Sequence, residues 1–511
     1  MNDMMAAFRA DLEGFDEATR DFYTGKMSKQ EYKGISGGFG SYSEKGGQKG
    51  MLRLRMTAGR VTKEKLAFVV ETAERLNLDL LKLTTCETIQ LHHLTGRQIL
   101  DVAEKALDAG IVCRGGGGDH PRNVMAPPLS GVLPGESFDV IPYAEMTADY
   151  LLSLLYHIHM PRKLKVGFAN HESNTAHVTM RDLGFVAEAD GGFSVYIAGG
   201  MGPNPRMGLK VAEHVPGSEI LYYVKAMVDT FLAHGNYEQR AKARTRYMQE
   251  ALGEEGLRQA YNQALEAAKA AGGLDRQVKV CPVTKQGEGS ISGRRIIAQK
   301  QPGLFAVSYH PLGGTPSRQT LRALLDTIQP MEQVEVRLGA DGTMYVINCT
   351  AAEAEKVLTA TEDGARTRFE HSVACIGASV CQQGVRDSQA LYHACVQVAR
   401  QANLPDGALP VIHISGCPSS CGTHQVGALG FHGGVKLVDK KPHPAFTLHV
   451  NGSARMGQER FGESWGVIFE ERIPEFLVAL GSKVADTGLS FEEWLPEHEA
   501  ELRALAAEYL V

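Results

Sequence analysis

Four cysteines in two tight pairs are the residues best suited to do chemistry. Cys375 and Cys381 stand in ACIGASVC with five residues between them, and Cys417 and Cys421 stand in GCPSSC with three. Four thiolates from two loops, separated by one predicted helix and one predicted strand, suit a [4Fe-4S] cluster, whose usual complement is four Cys. Two other readings use the same residues. Structural zinc takes cysteines in pairs with about two to four residues between them, which GCPSSC tolerates and the wider gap does not. Disulfides need an oxidising compartment, and nothing in the chain signals one.

A second group of residues could hold an anion. Arg53 and Arg55 in LRLRM, and Lys163 and Lys165 in PRKLK, are spaced by two, so in a strand each pair projects from one face. Like charges side by side repel. Each pair is therefore either a solvated strand face or a site whose anion offsets the repulsion, and for Lys163 and Lys165 the binding role is the preferred reading.

The pattern C-x5-C followed by C-x3-C within ISGCPSSCGTHQ resembles the signature of the siroheme and [4Fe-4S] nitrite and sulfite reductases. The resemblance implies that Cys375, Cys381, Cys417 and Cys421 ligate one cluster, and that Cys421 also bridges to the siroheme iron. It further implies that Arg53, Arg55, Arg122 and Asn123 bind siroheme, and that Arg122, Lys163 and Lys165 act on the substrate. The Lys-x-Lys pair is similar to the sulfite reductases, whereas assimilatory nitrite reductases tend to carry Asn at the second position. The expected reaction is thus the six-electron reduction of sulfite to sulfide. Alternatives are nitrite reduction to ammonia by the same centre, a precorrin oxygenase, and a non-catalytic cluster-bearing electron-transfer or sensor protein.

Two positions depart from the family pattern. Ser419 stands where the family usually has Asn, and TTCETIQLHH stands where it reads TTRQ, so Cys86 replaces a pocket arginine. Either another base such as Lys82 compensates, or substrate preference differs. As a plain residue, Cys86 also reads as a small buried hydrophobe. Cys395 shares a helix face with Leu391, Ala394 and Val398, and Cys113, Cys281 and Cys349 have no partner spacing. His92, His93, His413 and His424 lie in or beside the motifs and read as structural histidines before proton donors.

Composition narrows the class. With 511 residues, 43% hydrophobic content and a formal charge of -6, the chain reads as a multi-unit globular enzyme with no overall footprint for nucleic acid or an anionic membrane. It shows neither a signal-peptide pattern nor a spanning apolar run, so the expectation is a cytoplasmic protein. No G-x-G-x-x-G follows a predicted strand. The electron donor is therefore expected to be another protein, a ferredoxin or a reductase subunit.

The elements that position these residues recur. A strand at MLRLRM, a helix at TKEKLAFVVETAERLN, a strand over LLKLTTCETIQLHHL and a helix at GRQILDVAEKAL find a counterpart in residues 304–360. More loosely, RNVMAPPLSG corresponds to ACIGASVC and PRKLKVGF to HISGCPSSC. The resemblance implies an α+β, pseudo-twofold duplicated architecture with two ferredoxin-like units and two α/β siroheme-binding half-domains. The expected boundaries are 1–46 for a helix and a glycine-rich loop, 47–116 for the first ferredoxin-like unit and 117–275 for the first half-domain with the substrate-side bases. Residues 276–362 are a linker and the second unit, and 363–511 are the cysteine-bearing half-domain. The glycine-rich loop reads equally as a connector or as a flap over a cofactor, and the charged run from Tyr237 reads as a helical connection between halves.

Overall fold

The computed structural model describes residues 2–511. Strand Gly50–Arg55 leads into helix Lys63–Arg75, whose first turn is capped by the Thr62 hydroxyl accepting from the Lys65 amide. Strands Leu81–Leu83 and Thr88–Leu94 follow, then helix Gly96–Asp108, opened by a reciprocal Thr95–Gln98 capping box. With the edge strand Ser41–Ser43 they form a four-stranded antiparallel sheet, in which Thr88–Leu94 lies between Gly50–Arg55 and Leu81–Leu83.

Downstream, strand Phe305–Tyr309, helix Arg318–Ile328, strands Glu335–Leu338 and Met344–Cys349, and helix Ala351–Ala360 repeat that order. Again the last strand lies between the other two, antiparallel to both. The two units share one core. Strand Arg60–Val61 of the first pairs with Glu335–Leu338 of the second. Leu52, Val69 and Leu91 bury in the same apolar cluster as Leu324, Val336 and Val346.

Two further sheets carry the polar motifs. In one, Val166–Ala169 runs parallel to Leu183–Ala187, followed antiparallel by Phe193–Ile197 and Leu209–Val215. In the other, Val373–Ala374, Ile412–Ser415 and Leu429–Val438 are parallel neighbours, followed antiparallel by Lys441–Val450 and Glu463–Phe469. Single parallel bridges, Pro121 to Leu164 and Met125 to Gly167, lay HPRNVM beside PRKLK, as Val373–Ala374 lays ACIGASVC beside the strand before GCPSSC. No helix among the described residues is long and apolar enough to cross a membrane.

Three expectations are corrected. The glycine-rich N-terminal stretch is not one loop: helix Lys29–Ser36, a helical turn at Gly37–Phe39 and strand Ser41–Ser43 occupy most of it. The segment packs closely, since a Cβ on Gly40 would stand 3.0 Å from the Cys113 carbonyl oxygen and the Gly37 carbonyl oxygen leaves no room for a Cβ on Gly117, 2.3 Å away. LLKLTTCETIQLHHL is a hairpin rather than one strand. Its turn is closed by Glu87 N donating to Thr84 O and by the Thr84–Thr88 hydroxyl contact at 2.7 Å. The run from Tyr237 becomes a regular helix only at Tyr247, and Gly253 breaks its helical geometry. The ten residues before Tyr247 are largely irregular, and among them Arg244 pairs with the buried Asp182.

Candidate active site

The cysteines leave the same end of neighbouring parallel strands, where open α/β sheets place their ligands. Cys375 follows Val373–Ala374 directly, and its amide donates to Ile414 O at 3.1 Å. Its Sγ accepts from Gly416 N at 3.2 Å and lies 3.0 Å from the Ser388 hydroxyl, while Cys381 Sγ accepts from Gln383 N at 3.4 Å. Burial, helped by the Cys375 and Cys417 thiols, pushes the Cys381 pKa up. Cys421 is exposed by area yet densely enclosed, so desolvation and the Cys375 thiol push it up to about 12 against the pull of Lys163 and Lys165. Cys381 and Cys421 each feel both Cys375 and Cys417, and four thiols so gathered, on loops packed through glycine, have the donor set a [4Fe-4S] cluster requires. A Cβ on Gly422 would stand 2.0 Å from the Ile414 carbonyl oxygen, so only glycine closes the second loop.

Facing Cys421 is a group of buried or half-buried cations. Lys163 and Lys165 lie just before strand Val166–Ala169 rather than within a strand, on either side of the single bridge at Leu164; both are half-buried and Leu164 is fully buried. Burial lowers the Lys163 pKa well below its ordinary value, with Arg244, Lys165 and Arg122 adding repulsion. Arg55 gives N–H bonds to the carbonyls of Arg114, Pro121 and Arg122. Arg53 donates to Gly116 O at 2.6 Å, and Arg122 to the carbonyls of Gly116 and Gly118. Burial holds Arg55 and Arg122 down to about 10, which leaves both charged at neutral pH. Asn123 spends its side-chain amide on the carbonyls of Met56, Cys86 and Glu87, and so pins the hairpin turn.

That turn joins the two sides. Thr85 Oγ1 donates to Cys421 O at 2.8 Å, and the next residue, Cys86, receives Lys165 Nζ at 3.3 Å. Against the cost of burial, Lys165, Arg181 and Arg53 draw the Cys86 thiol down to about 6. Cys86 is therefore an anion among cations, which corrects its reading as a buried hydrophobe. Lys82 does not fill the arginine's place: its ammonium donates to Gly313 O, and Cys375 is the thiol it senses.

Several residues of the site were invisible to pattern reading. Arg181, Arg244 and Arg246 surround the same space, and Glu87 beside Cys86 is fully buried and, by desolvation, has its pKa raised well above the carboxylate range. Arg244 and Arg246 repeat the spacing-by-two of Arg53/Arg55 and Lys163/Lys165, which is the signal that could have found them. Arg181 carries no such mark. Guanidinium nitrogens of Arg55, Arg122, Arg181, Arg244 and Arg246 are buried without a hydrogen-bond partner, as is Asn123 Oδ1. An unpartnered buried donor costs about 1–3 kcal/mol, more when charged. Five in one region fit a polyanionic ligand such as siroheme. The glycine-rich segment lies alongside: Lys45 donates from its amide to Val380 O and from Nζ to Ala378 O.

Comparisons with known proteins agree with this chemistry. Residues 42–109 match the family described as nitrite/sulfite reductase ferredoxin-like half domain, and residues 117–269 match the nitrite and sulphite reductase 4Fe-4S domain. The chloroplastic ferredoxin–nitrite reductase of Arabidopsis thaliana is 24% identical over 83% of this chain and 74% of its own length. A ferredoxin sulfite reductase of Mycolicibacterium paratuberculosis is 23% identical over 89% of this chain and 83% of its own. The structure of Mycobacterium tuberculosis NirA superposes with a TM-score of 0.76 at 19% identity, covering 92% of this chain and 90% of that one, and so shares the mixed α+β fold. The chain belongs to the nitrite and sulfite reductases, the enzyme family that binds siroheme and a [4Fe-4S] cluster and reduces nitrite or sulfite.

Proposed function

We propose that this enzyme reduces sulfite to sulfide, that Cys375, Cys381, Cys417 and Cys421 would hold the cluster, and that Cys421 would also be the thiol that serves siroheme. When bound, the two groups supply the electrons, delivered one at a time. The chain's own residues do the rest. Arg53, Arg55, Arg122 and Asn123, joined by Arg181, Arg244 and Arg246, hold the siroheme carboxylates. Lys163, Lys165 and Arg122 bind the oxyanion and give charge-assisted hydrogen bonds to its departing oxygens. Glu87, whose pKa burial raises well above the usual carboxylate range, is a proton source within the same turn as Cys86. The donor is a separate protein, most simply a ferredoxin, since relatives named for that donor span most of the chain. The duplicated architecture is part of this reading: two ferredoxin-like units at 47–116 and 276–362, and two half-domains at 117–275 and 363–511 that enclose the cofactor.

The preference for sulfite rests on one observation, the two half-buried amino groups of Lys163 and Lys165 close enough to repel each other. Sulfite is larger and more highly charged than nitrite and gains more from the second ammonium. Catalytic efficiencies for both substrates in Lys165→Asn test it. Loss of one charge-assisted hydrogen bond is worth about ten-fold or more for sulfite, with a smaller loss for nitrite. Lys163→Ala should damage both. Equal losses at Lys165→Asn would remove the reason for preferring sulfite.

A further inference from the structure

His424, His432 and His449 converge behind the cluster loop. One ring nitrogen of each lies within 4.8 Å of the other two, and the ring centroids are 4.9, 4.9 and 5.0 Å apart. The backbone brings them together for definite reasons. Gly430 pairs with His449 across strands Leu429–Val438 and Lys441–Val450, so His432, two residues on, projects from the same face as a diagonal neighbour. His424 arrives from the loop after Cys421. Its carbonyl oxygen stands 1.8 Å from where a Cβ on Gly430 would be, so the approach requires glycine.

Two of the other ring nitrogens are occupied. His424 Nδ1 lies 3.0 Å from Ser415 Oγ, and His449 Nδ1 faces Gly462 O at 3.4 Å. His449 is then left with an inward Nε2 lone pair, and His432 Nδ1 lies 2.8 Å from it. Outer nitrogens on oxygen and inner nitrogens gathered at one point are how metal-bound imidazoles are oriented. Burial lowers all three pKa values, and the charged-group influence on His424 comes from other imidazoles, so the rings are uncharged; His432 Nδ1–H donates to His449 Nε2, and a metal that takes this nitrogen moves the proton to His432 Nε2. A donor set of neutral nitrogens suits zinc or a later first-row divalent ion rather than magnesium or calcium, which prefer oxygen.

We propose that His424, His432 and His449 form a three-imidazole site for a divalent transition-metal ion, with zinc as the ion to test, which ties the cluster loop to the hairpin of strands Leu429–Val438 and Lys441–Val450. Zn–N bonds of about 2.0–2.1 Å in a tetrahedron set nitrogens about 3.4 Å apart, so the His432–His449 contact opens by about half an ångström on binding, and the fourth position is left for water. The site lies outside the oxyanion pocket and does not depend on which substrate the enzyme reduces.

The test counts metals in the purified holoenzyme after zinc supplementation and dialysis against EDTA, and records the zinc K-edge absorption spectrum. The expected result is about one zinc per chain, with light-atom imidazole ligation and no sulfur neighbour. In the His432→Gln/His449→Gln double variant zinc should fall by at least about ten-fold while iron content and siroheme absorption persist. Absence of zinc from the wild type, a sulfur shell in its spectrum, or full zinc in the double variant would each overturn the site. Should the double variant lose iron as well, the wild-type spectrum decides alone: imidazole ligation supports the site, and thiolate ligation ends it.

Discussion

Cys86 makes the substrate pocket of this enzyme unlike one lined by an arginine at that position. Its thiol receives Lys165 at 3.3 Å and is drawn down to about 6 by Lys165, Arg181 and Arg53. On the role proposed for Lys165, the thiolate competes with the substrate for its ammonium. Above pH 6 it is charged and occupies the ammonium; below, it is neutral and releases it. Sulfite affinity should therefore rise as pH falls through about 6 in the wild type, and Cys86→Ser should lack that inflection and bind sulfite up to about ten-fold more tightly at pH 8. Initial rates across pH for both proteins measure it, and parallel profiles would refute the competition. At the cluster, Ser in place of any one of Cys375, Cys381, Cys417 or Cys421 should lose iron and acid-labile sulfide. Full retention in all four variants would leave the cluster without its ligands.

Within the strand Leu429–Val438, two glycines do different work. Gly430 is jammed against the His424 carbonyl, whereas a Cβ on Gly434 would meet nothing within 4 Å. Gly430→Ala must push back the loop that carries Cys417 and Cys421, a backbone overlap in the class that costs about 4 kcal/mol or more. Gly434→Ala should stay within about 0.5 kcal/mol of wild type. Melting temperature and iron content read together distinguish them. Equal behaviour of the two alanines would mean that the loop is not seated on this strand.

The halves of the molecule meet through polar contacts around the site. Gln425 exchanges two hydrogen bonds with Gly202, each 2.9 Å, and Asn174 donates to Ala454 O at 2.9 Å. Buried guanidinium groups with unpaired N–H face the same space, so the protein without siroheme carries repulsion and unmet hydrogen bonds at its centre. A ligand that binds only the folded state stabilises it. Enzyme made in a host unable to synthesise siroheme should melt several degrees lower than loaded enzyme. Arg246→Met should raise the melting temperature of the siroheme-free protein while lowering siroheme retention in the loaded one, because the same unpaired charge opposes the empty fold and favours the filled one. Destabilisation of both forms would instead make Arg246 a purely structural brace through its bond to Pro203 O.

The cysteine spacing, the repeated strand and helix order, and the paired bases at 53/55 and 163/165 were legible in the chain because each is a local pattern. Ligand spacing, pleat alternation and helical periodicity are set over a few residues by covalent geometry. The role of Cys86 was not local: whether that thiol is inert or charged depends on Lys165, some eighty residues away, and on Arg181 farther on. Arg181 and Glu87 likewise have no neighbours in sequence that mark them, and Lys82 was drawn to Gly313 by a fold that no nearby residue announces. The three histidines at 424, 432 and 449 belong to a loop and two antiparallel strands, and only the strand register puts them at one point. Sequence determined which ligands the chain can offer; tertiary structure decided which charges face one another, because burial and Coulombic contact act between residues that only the folded sheets bring close.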